Sequence, residues 1–495
     1  MALAPGGPVQ CFQGRVENSV ILHCGDGLHY HIREICRSRL RLHCRHYKSR
    51  GLGCPGTASV SLDTGFLKHL QNHNHPPDHF LKDDYALRTA IIQETTRSTF
   101  GEKVMSILNR LKMRVHEPAL ASRFTRVRMA SSMYKKKYES YPPIPKTLLY
   151  LGVLLGSPNM RPVCKTVDGS DYIFQGVVGN SLNKTESIVF VSGRMIQFLQ
   201  TREGVHVDGT FKKRPRKPKC RQIFNIVVKY GDIIIGVVRV LMRSKSEAAY
   251  NELLDYLVDV APNFNPRRVW CDFERAIMNA FRRKFPGCRV VGCLWHYGVS
   301  IGRHAREIGL APMAGENELV LSFIRSICAV PLLPLHLMWR GIIELWEEVT
   351  ASGWHNELLG MFQYLELEWR PRFPELCVFG VDDRTNNCSE SDNHMMANVV
   401  PQNHPNVWAL VGGFVQMEYL AWCDKISVDH FRAVTPARRV RSVLNDQRVR
   451  RASQMIVNGD ITPGHFLQHI SSITHAAAVY GLQLRDDDSD DSDED

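Results

Sequence analysis

Two aspartates that follow apolar, strand-like runs constrain the fold of this chain more than any other feature. Asp208 and Asp272 each follow such a run, and between them lie two further apolar segments, 222–230 and 232–242, and an amphipathic stretch, 246–260. This order predicts a β-β-β-α-β unit of an α/β, ribonuclease-H-like sheet. The first and fourth strands of that sheet are neighbours, so the two carboxylates are expected about one strand spacing, ~4.8 Å, apart.

Two acids at that distance repel one another unless a cation lies between them. Two-metal phosphodiester chemistry uses ions about 3.5–4 Å apart to hold the attacking and leaving oxygens. We therefore predict that Asp208 and Asp272 are catalytic and bind two Mg²⁺ or Mn²⁺ ions. Glu390 is predicted to complete the set as the third catalytic and metal-binding acid.

The segment around Glu390 is typical of a loop that enters a helix. Thr385, Asn386 or Asn387 could each serve as the N-cap, which places Glu390 in about the first turn. Two nearby acids are alternatives for the third position. Asp392 is one of them, and the other is Glu274, which could instead begin the helix after the fourth strand, where an acid suits the helix dipole.

Four motifs in this order resemble those of Mutator-like element (MULE) transposases, and a fifth phrase after them does so as well. They are Asp208-Gly209-Thr210-Phe211, Asp272-Phe273-Glu274, Cys293-Leu294-Trp295-His296, Thr385-Asn386 through Glu390, and His404-Pro405-Asn406-Val407-Trp408. The resemblance covers roughly residues 145–430. It implies a ribonuclease-H-like core at 145–300 and 385–430, interrupted by an all-helical insertion at 301–384.

The same resemblance implies DDE-type, metal-dependent cleavage and transfer of double-stranded DNA, with the protein assembled on DNA as a homo-oligomer. Cys293 and His296 are expected to organise the site, or His296 to contact DNA near the scissile phosphate. A histidine that only caps a helix is the structural alternative.

A second group of candidate metal ligands lies near the N-terminus. Cys44, Cys54, His73 and His75 offer two thiolates and two imidazoles, the closed tetrahedral set of a structural Zn²⁺ site. The short, basic, strand-like region around them is too small to hold a core without such a staple.

The spacing of these four residues resembles a FLYWCH-type zinc finger, which would span residues 28–80 after a leader at 1–27. Leu42 stands where that pattern expects an aromatic residue. Cys24 and Cys36 are alternative ligands. The resemblance implies a module that recognises DNA or protein.

The net charge of +12 conceals two opposed parts. The tail 485–495 carries eight acids and one arginine, a net charge of −7, so the remaining body carries +19. A surplus of that size suits a polyanion partner and salt-sensitive binding. The tail is expected to be disordered. It either confers solubility or competes with DNA for the basic body, an effect that phosphorylation of Ser489 and Ser492 would strengthen.

The basic run 212–219 follows the first predicted catalytic strand. It is interpreted either as a nuclear-import-like signal or as a phosphate-contacting loop beside the site, and its position favours the loop. Its predicted DNA-binding residues are Lys212, Lys213, Arg214 and Arg216. Three further clusters are candidate phosphate contacts, although a charge run is often only a solvated face: 134–138, 438–441 and 448–451.

Helical spacing of apolar residues predicts helices at 81–140, where a helix-turn-helix is an alternative to plain packing helices. The segment 141–145 contains three prolines and is predicted to be a linker. In the insertion the helical runs are 319–330, 335–349 and 354–369, and a basic helical segment is expected at 431–484.

Composition narrows the class of protein. No apolar run approaches the ~18 residues of a membrane span. The N-terminal residues are not typical of a secretory signal, and fourteen cysteines scattered over 495 residues favour reduced thiols and a nuclear location. The predicted function is therefore a DDE transposase. A host-adopted, catalytically inactive DNA-binding or transcription regulatory protein is the alternative, and a structure-specific nuclease on the same fold is a third possibility.

Overall fold

The computed structural model is a mixed α/β protein that divides into two compact units, Met1–Pro142 and Pro143–Asp495. It describes residues 5–14, 19–49, 53–98, 102–139, 141–381, 384, 386–432, 434 and 440–483. Each unit contains one seven-stranded sheet.

The sheet of the first unit is antiparallel throughout, in the order β1-β7-β6-β5-β4-β3-β2. Its strands are β1 (Gly7–Pro8), β2 (Gln10–Gln13), β3 (Val20–His23), β4 (Tyr30–Ile35), β5 (Arg39–Cys44), β6 (Thr57–Ser61) and β7 (Phe66–Gln71). The first three strands lie in the stretch that the sequence analysis assigned to a leader. They pair into the same sheet as the finger residues, because Gly7 pairs with Leu67 and Leu22 with Tyr30.

Four helices follow in the first unit: α1 (Leu81–Arg97), α2 (Val104–Met113), α3 (Pro118–Ser122) and α4 (Arg126–Glu139). They enclose their own small core, in which Ile91, Ile107, Phe124 and Met129 are fully buried. The apolar residues that recur at helical spacing in the sequence are therefore the ones that face this core.

The sheet of the second unit has the order β14-β13-β10-β11-β12-β9-β8. Its strands are β8 (Phe174–Val178), β9 (Ser187–Phe190), β10 (Gly204–Thr210), β11 (Gln222–Tyr230), β12 (Ile233–Met242), β13 (Arg268–Cys271) and β14 (Arg289–Gly292). The three strands β10, β11 and β12 are antiparallel neighbours, whereas β13 and β14 run parallel to β10. The predicted adjacency of the first and fourth strands is present in the pairing of β10 with β13.

Helices connect these strands and extend beyond them. They are α5 (Leu148–Gly156), α6 (Gly193–Leu199), α7 (Glu247–Val260), α8 (Arg275–Lys284), α9 (Leu294–Glu307), α10 (Leu310–Glu316), α11 (Glu318–Cys328), α12 (Met338–Ala351), α13 (His355–Tyr364), α14 (Phe373–Leu376), α15 (Asn387–Val399), α16 (Val407–Asp429), α17 (Val440–Asn458) and α18 (Pro463–Gln483). The predicted amphipathic stretch is α7, where the Ser246 hydroxyl accepts from the backbone N–H of Ala249 as the N-cap.

The helical runs predicted after His296 are present as α11, α12 and α13. Their core is shared with the last two helices, since Val449, Ile456, Phe466 and Ile470 are buried in it. The C-terminal helices therefore complete the helical region. Among the described residues, no helix combines the length and apolar composition needed to cross a membrane.

Candidate functional site

The parallel pairing of β10 with β13 positions the two predicted catalytic aspartates. His206 pairs with Trp270, and their rings stack with centroids 4.5 Å apart. Asp208 and Asp272 each follow that pair by two residues, so their side chains return to the same face of the sheet. The two carboxylates thus approach one another across one strand spacing, although 63 residues separate them in the chain.

Asp208 lies in an environment that disfavours its charge. Burial and the nearby charge of Asp272 together raise the pKa of the Asp208 carboxyl to about 7. The side-chain amide of Asn393 donates a 2.8 Å hydrogen bond to its Oδ2 and partly opposes this shift. A divalent cation between the two carboxylates would remove the repulsion, and carboxylate oxygens are donors that Mg²⁺ and Mn²⁺ prefer. The pair therefore fits such an ion.

Asp272 has a basic neighbour in His296, whose Nδ1 lies 2.9 Å from Asp272 Oδ1. Burial disfavours the imidazolium, but Asp272 and Cys293 outweigh it and raise the pKa of His296 to about 11. His296 lies in the first turn of α9, where the helix dipole also disfavours a cation. The charge of His296 therefore depends on Asp272.

Cys293 is the N-cap residue of α9 and joins this group. Ligand atoms of Asp272, Cys293 and His296 all lie within 4.8 Å of one another. The Sγ of Cys293 also accepts a 3.2 Å hydrogen bond from the backbone N–H of Asn386, just before α15. Cys293 thus connects the start of one site helix to the start of the other.

Helix α15 carries the predicted third acid. Its N-cap is Asn386, one of the three predicted candidates, while Thr385 lies outside the described residues. The side chain of Asn386 donates to the carbonyl of Val207 in β10 at 3.1 Å. Glu390 follows Asn386 by four residues and precedes Asn393 by three, so all three share one helix face. Asn386 and Asn393 contact β10, whereas Glu390 is exposed, and among the described residues it forms no group of candidate metal ligands with Asp208 and Asp272.

The two alternative acids have other partners. Asp392 is 1% exposed and forms a bidentate ion pair with Arg239 of β12, at 2.7 and 2.9 Å. Glu274 is the N-cap residue of α8, accepts from the Tyr250 hydroxyl at 2.8 Å and lies 3.1 Å from the Lys245 ammonium. Asp392 therefore clamps α15 to the sheet, and Glu274 begins a helix as the sequence analysis considered.

The sequence analysis missed the contacts that two asparagines, Asn386 at the N-cap of α15 and Asn393 within it, make with β10. Asn386 was considered only as a cap and Asn393 was not considered, although helical spacing from Glu390 would have placed both on its face. Gly209 in the first motif also has a packing reason. A Cβ at that position would lie 2.1 Å from Oε1 of Gln222, so a larger residue would displace the neighbouring strand's side chain.

The side chains of the basic run after β10 differ in their exposure. Lys213 is buried, and its ammonium donates to the Gln402 carbonyl at 3.2 Å and to Asn403 Oδ1 at 3.1 Å. Arg214 donates to backbone carbonyls of its own loop. Lys213 and Arg214 therefore stabilise the loop. The burial of Lys213 corrects its assignment as a surface contact, whereas Arg214 is half-buried and Lys212 and Arg216 are exposed.

The other basic clusters also contain both buried and exposed side chains. Lys137 in α4 is buried and donates to the Ser98 hydroxyl and the Glu102 carbonyl, so it is no surface contact. In α17, by contrast, Arg448 and Arg451 are exposed. Residues 438 and 439 and the acidic tail 485–495 lie outside the described residues.

The four predicted zinc ligands meet in one cluster of the first unit. Cys44 Sγ lies 3.2 Å from His75 Nε2, Cys54 Sγ lies 3.4 Å from His73 Nδ1, and these two ring nitrogens are 3.1 Å apart. Tetrahedral zinc with sulfur at about 2.3 Å and nitrogen at about 2.0 Å requires donors roughly 3.3–3.8 Å apart. The donor set and its spacing fit Zn²⁺.

The two alternative zinc ligands lie elsewhere. Cys36 is at the β4–β5 turn, outside the cluster. Cys24 instead approaches Asp26 and His69, and the ligand atoms of these three all lie within 4.8 Å of one another. The described residues thus support the first set of four.

Comparison with known proteins concerns the segment that holds both aspartates. Residues 204–298 match the model of the MULE transposase domain. The matched segment begins with β10 and ends in α9, so it includes Asp208, Asp272, Cys293 and His296 but neither Glu390 nor the cluster of the first unit. No curated protein matches the chain.

Proposed function

We propose that this protein is a DDE-type DNA transposase that cleaves and joins DNA strands with Mg²⁺ or Mn²⁺. One observation carries the proposal: the parallel pairing of β10 with β13 sets Asp208 and Asp272 on one face, within the segment that matches the MULE transposase domain. Burial, together with repulsion from Asp272, raises the pKa of Asp208, and such a shift supports a pair of carboxylates arranged for a cation.

The strand order supports a ribonuclease-H-like core. Three antiparallel strands, a helix and a parallel fourth strand beside the first follow one another in β10, β11, β12, α7 and β13. The helical region between β14 and α15 is an insertion into this core. The chain returns to the sheet with α15, which packs on β10, β11 and β12.

Each residue of the site has a proposed role. Asp208, Asp272 and Glu390 hold the metal, Asn393 orients the Asp208 carboxylate, and His296 holds Asp272. The chemistry that two bound divalent ions supply is activation of a water or 3′-hydroxyl nucleophile and stabilisation of the leaving oxygen. Cys293 and Asn386 keep the two site helices in register and take no part in bond breaking.

Residues 28–80 of the first unit are proposed to form a FLYWCH-type zinc finger that contributes to DNA binding. Its sheet has a polar face, since Arg39 pairs with Ser61, Arg41 with Ser59, and Ser59 with Lys68. Guanidinium, ammonium and hydroxyl groups are the common donors to DNA phosphates. This outer face and the exposed Lys212 and Arg216 of the second unit are the proposed phosphate contacts.

Asp272→Asn tests the proposed chemistry with little change of shape. Strand cleavage in Mg²⁺ or Mn²⁺ is expected to fall at least ~100-fold because a metal-binding charge is lost, whereas DNA affinity persists because it depends on the basic surfaces. Asp259→Asn, an exposed residue of α7, is the matched control and should leave both unchanged.

The same cleavage and binding assays also distinguish the alternative functions. A wild-type protein that binds DNA but neither nicks nor joins it with either metal would favour a host-adopted, catalytically inactive DNA-binding protein. Cleavage without strand joining would instead favour a structure-specific nuclease. Cleavage that survives Asp272→Asn would refute the assigned site.

A further inference from the structure

A buried tyrosine connects one proposed zinc ligand to a second histidine. The hydroxyl of Tyr30 lies 2.7 Å from Nε2 of His73 and 2.6 Å from Nδ1 of His69. Nε2 of His69 in turn lies 2.9 Å from Oδ2 of Asp26, an ion-pair contact, and 3.6 Å from Sγ of Cys24. Tyr30 is 0% and His69 3% exposed, so bulk water does not compete for these contacts.

The carboxylate of Asp26 is in ionic contact with His69, and this contact sets the direction of the two hydrogen bonds made by the Tyr30 hydroxyl. Two lone pairs would repel at 2.9 Å, so the proton of His69 lies on Nε2, facing Asp26, and Nδ1 is an acceptor. Tyr30 therefore donates to His69, and its oxygen accepts from the Nε2–H of His73. The lone pair of His73 is then on Nδ1, the atom that faces Cys54 in the cluster.

We propose that Tyr30, His69 and Asp26 form an outer shell of the zinc site that fixes the tautomer and ring orientation of His73. The proposal rests on the zinc centre proposed above. Outer-shell partners of metal-bound histidines commonly change metal affinity by ~10–100-fold. Gly56 supports the fixed orientation, because a Cβ there would lie 2.6 Å from Cε1 of the His73 ring.

The other zinc-ligand histidine has a simpler arrangement. Nδ1 of His75 donates to the carbonyl of Pro76 at 2.8 Å, which leaves Nε2 for the metal. Both histidines thus present the nitrogen that lies in the cluster, but only His73 depends on side chains distant in sequence. The three outer residues belong to β4, to β7 and to the turn after β3.

Tyr30→Phe removes the hydroxyl that joins the two histidines. Zinc affinity of the full chain, measured by competition with a chromophoric chelator, is expected to fall ~10–100-fold. Tyr47→Phe is the matched control, since Tyr47 is half exposed in the same module. Unchanged zinc affinity in a folded Tyr30→Phe protein would overturn the proposal.

Asp26→Asn tests the direction of the chain. Oδ1 of Asp26 accepts from the backbone N–H of Leu28 at 3.1 Å, so an asparagine would keep its oxygen there and turn its NH₂ towards His69. That reverses each hydrogen bond and puts the proton of His73 on Nδ1, where it opposes zinc. We expect a ~10–100-fold loss of affinity in the wild-type background and no further loss in Tyr30→Phe.

Two readouts distinguish this role from general destabilisation. Long-range ¹H–¹⁵N spectra of histidine-labelled, zinc-loaded protein should show the His73 Nε2–H in the wild type and its loss of protection in Tyr30→Phe. Equal effects of Asp26→Asn in both backgrounds would overturn the proposal. So would two zinc ions in the wild type with one lost in Asp26→Asn, because Cys24, Asp26 and His69 would then form a second metal site. A wild-type protein without zinc would refute the zinc centre itself.

Discussion

The ion pair between Asp392 and Arg239 permits a quantitative test of how the second unit holds its site together. Both residues are at most 5% exposed, and the guanidinium donates two hydrogen bonds of 2.7 and 2.9 Å to the carboxylate. Asp392→Asn keeps the shape of the side chain but leaves the Arg239 charge buried and uncompensated. Loss of one partner of a buried pair typically costs about 3–5 kcal/mol of unfolding free energy.

The environment of Arg239 supports a value within that range. The guanidinium also donates to the Asn225 amide oxygen at 3.2 Å, which stabilises its charge less than a carboxylate does. A loss of 3 kcal/mol corresponds to more than a hundredfold rise in the unfolding constant. Arg239→Met combined with Asp392→Leu should recover most of the stability, because an apolar pair of similar size needs no counter-charge.

The assay is urea unfolding followed by tryptophan fluorescence. All eight tryptophans lie between residues 270 and 422, so the signal reports the second unit alone. Asp255→Asn is the matched control: Asp255 pairs with Lys284 at 2.5 Å, but it is 63% exposed, and such surface pairs contribute about 0–1 kcal/mol. If Asp392→Asn abolished cleavage and left the urea midpoint unchanged, Asp392 would be a metal ligand instead of a clamp, and the reasoning would be wrong.

Two further predictions concern the zinc module and the basic surfaces. Cys44→Ser should release zinc and make the first unit sensitive to protease, since its small core depends on the metal, while tryptophan fluorescence of the second unit stays unchanged; stoichiometric zinc in this variant would indicate another ligand set. Neutralising Lys212 with Arg216, or Arg39 with Lys68, should weaken DNA binding and reduce the slope of log affinity against log salt by about 2 in each case, measured by salt-titrated anisotropy. An unchanged slope would exclude the substituted pair from the DNA interface.

Local patterns in the sequence were sufficient to predict the elements of the site and the order of its strands. Strand-like runs end at Asp208 and Asp272, and the order of the five elements from β10 to β13 predicts β10 beside β13, because a parallel fourth strand needs a crossover helix. The grouping of two cysteines and two histidines in the first unit could also be predicted from the sequence, because zinc sites restrict both ligand type and spacing.

Contacts between distant segments could not be predicted from the sequence, because no local pattern encodes them. Asp392 and Asn393 are adjacent in α15, yet one clamps Arg239 and the other orients Asp208. Burial likewise removed Lys213 from the predicted DNA-binding surface, although nothing in the basic run distinguishes it from Lys212.

Periodicity and residue chemistry therefore determined which elements form and which groups are candidates for the function. Only the tertiary structure decided which of several equivalent acids, bases and histidines face one another. The physical reason is that charge state, hydrogen-bond direction and exposure depend on neighbours in space, and Tyr30 meets His69 and His73 only after the chain has paired β4 with the other strands of its sheet.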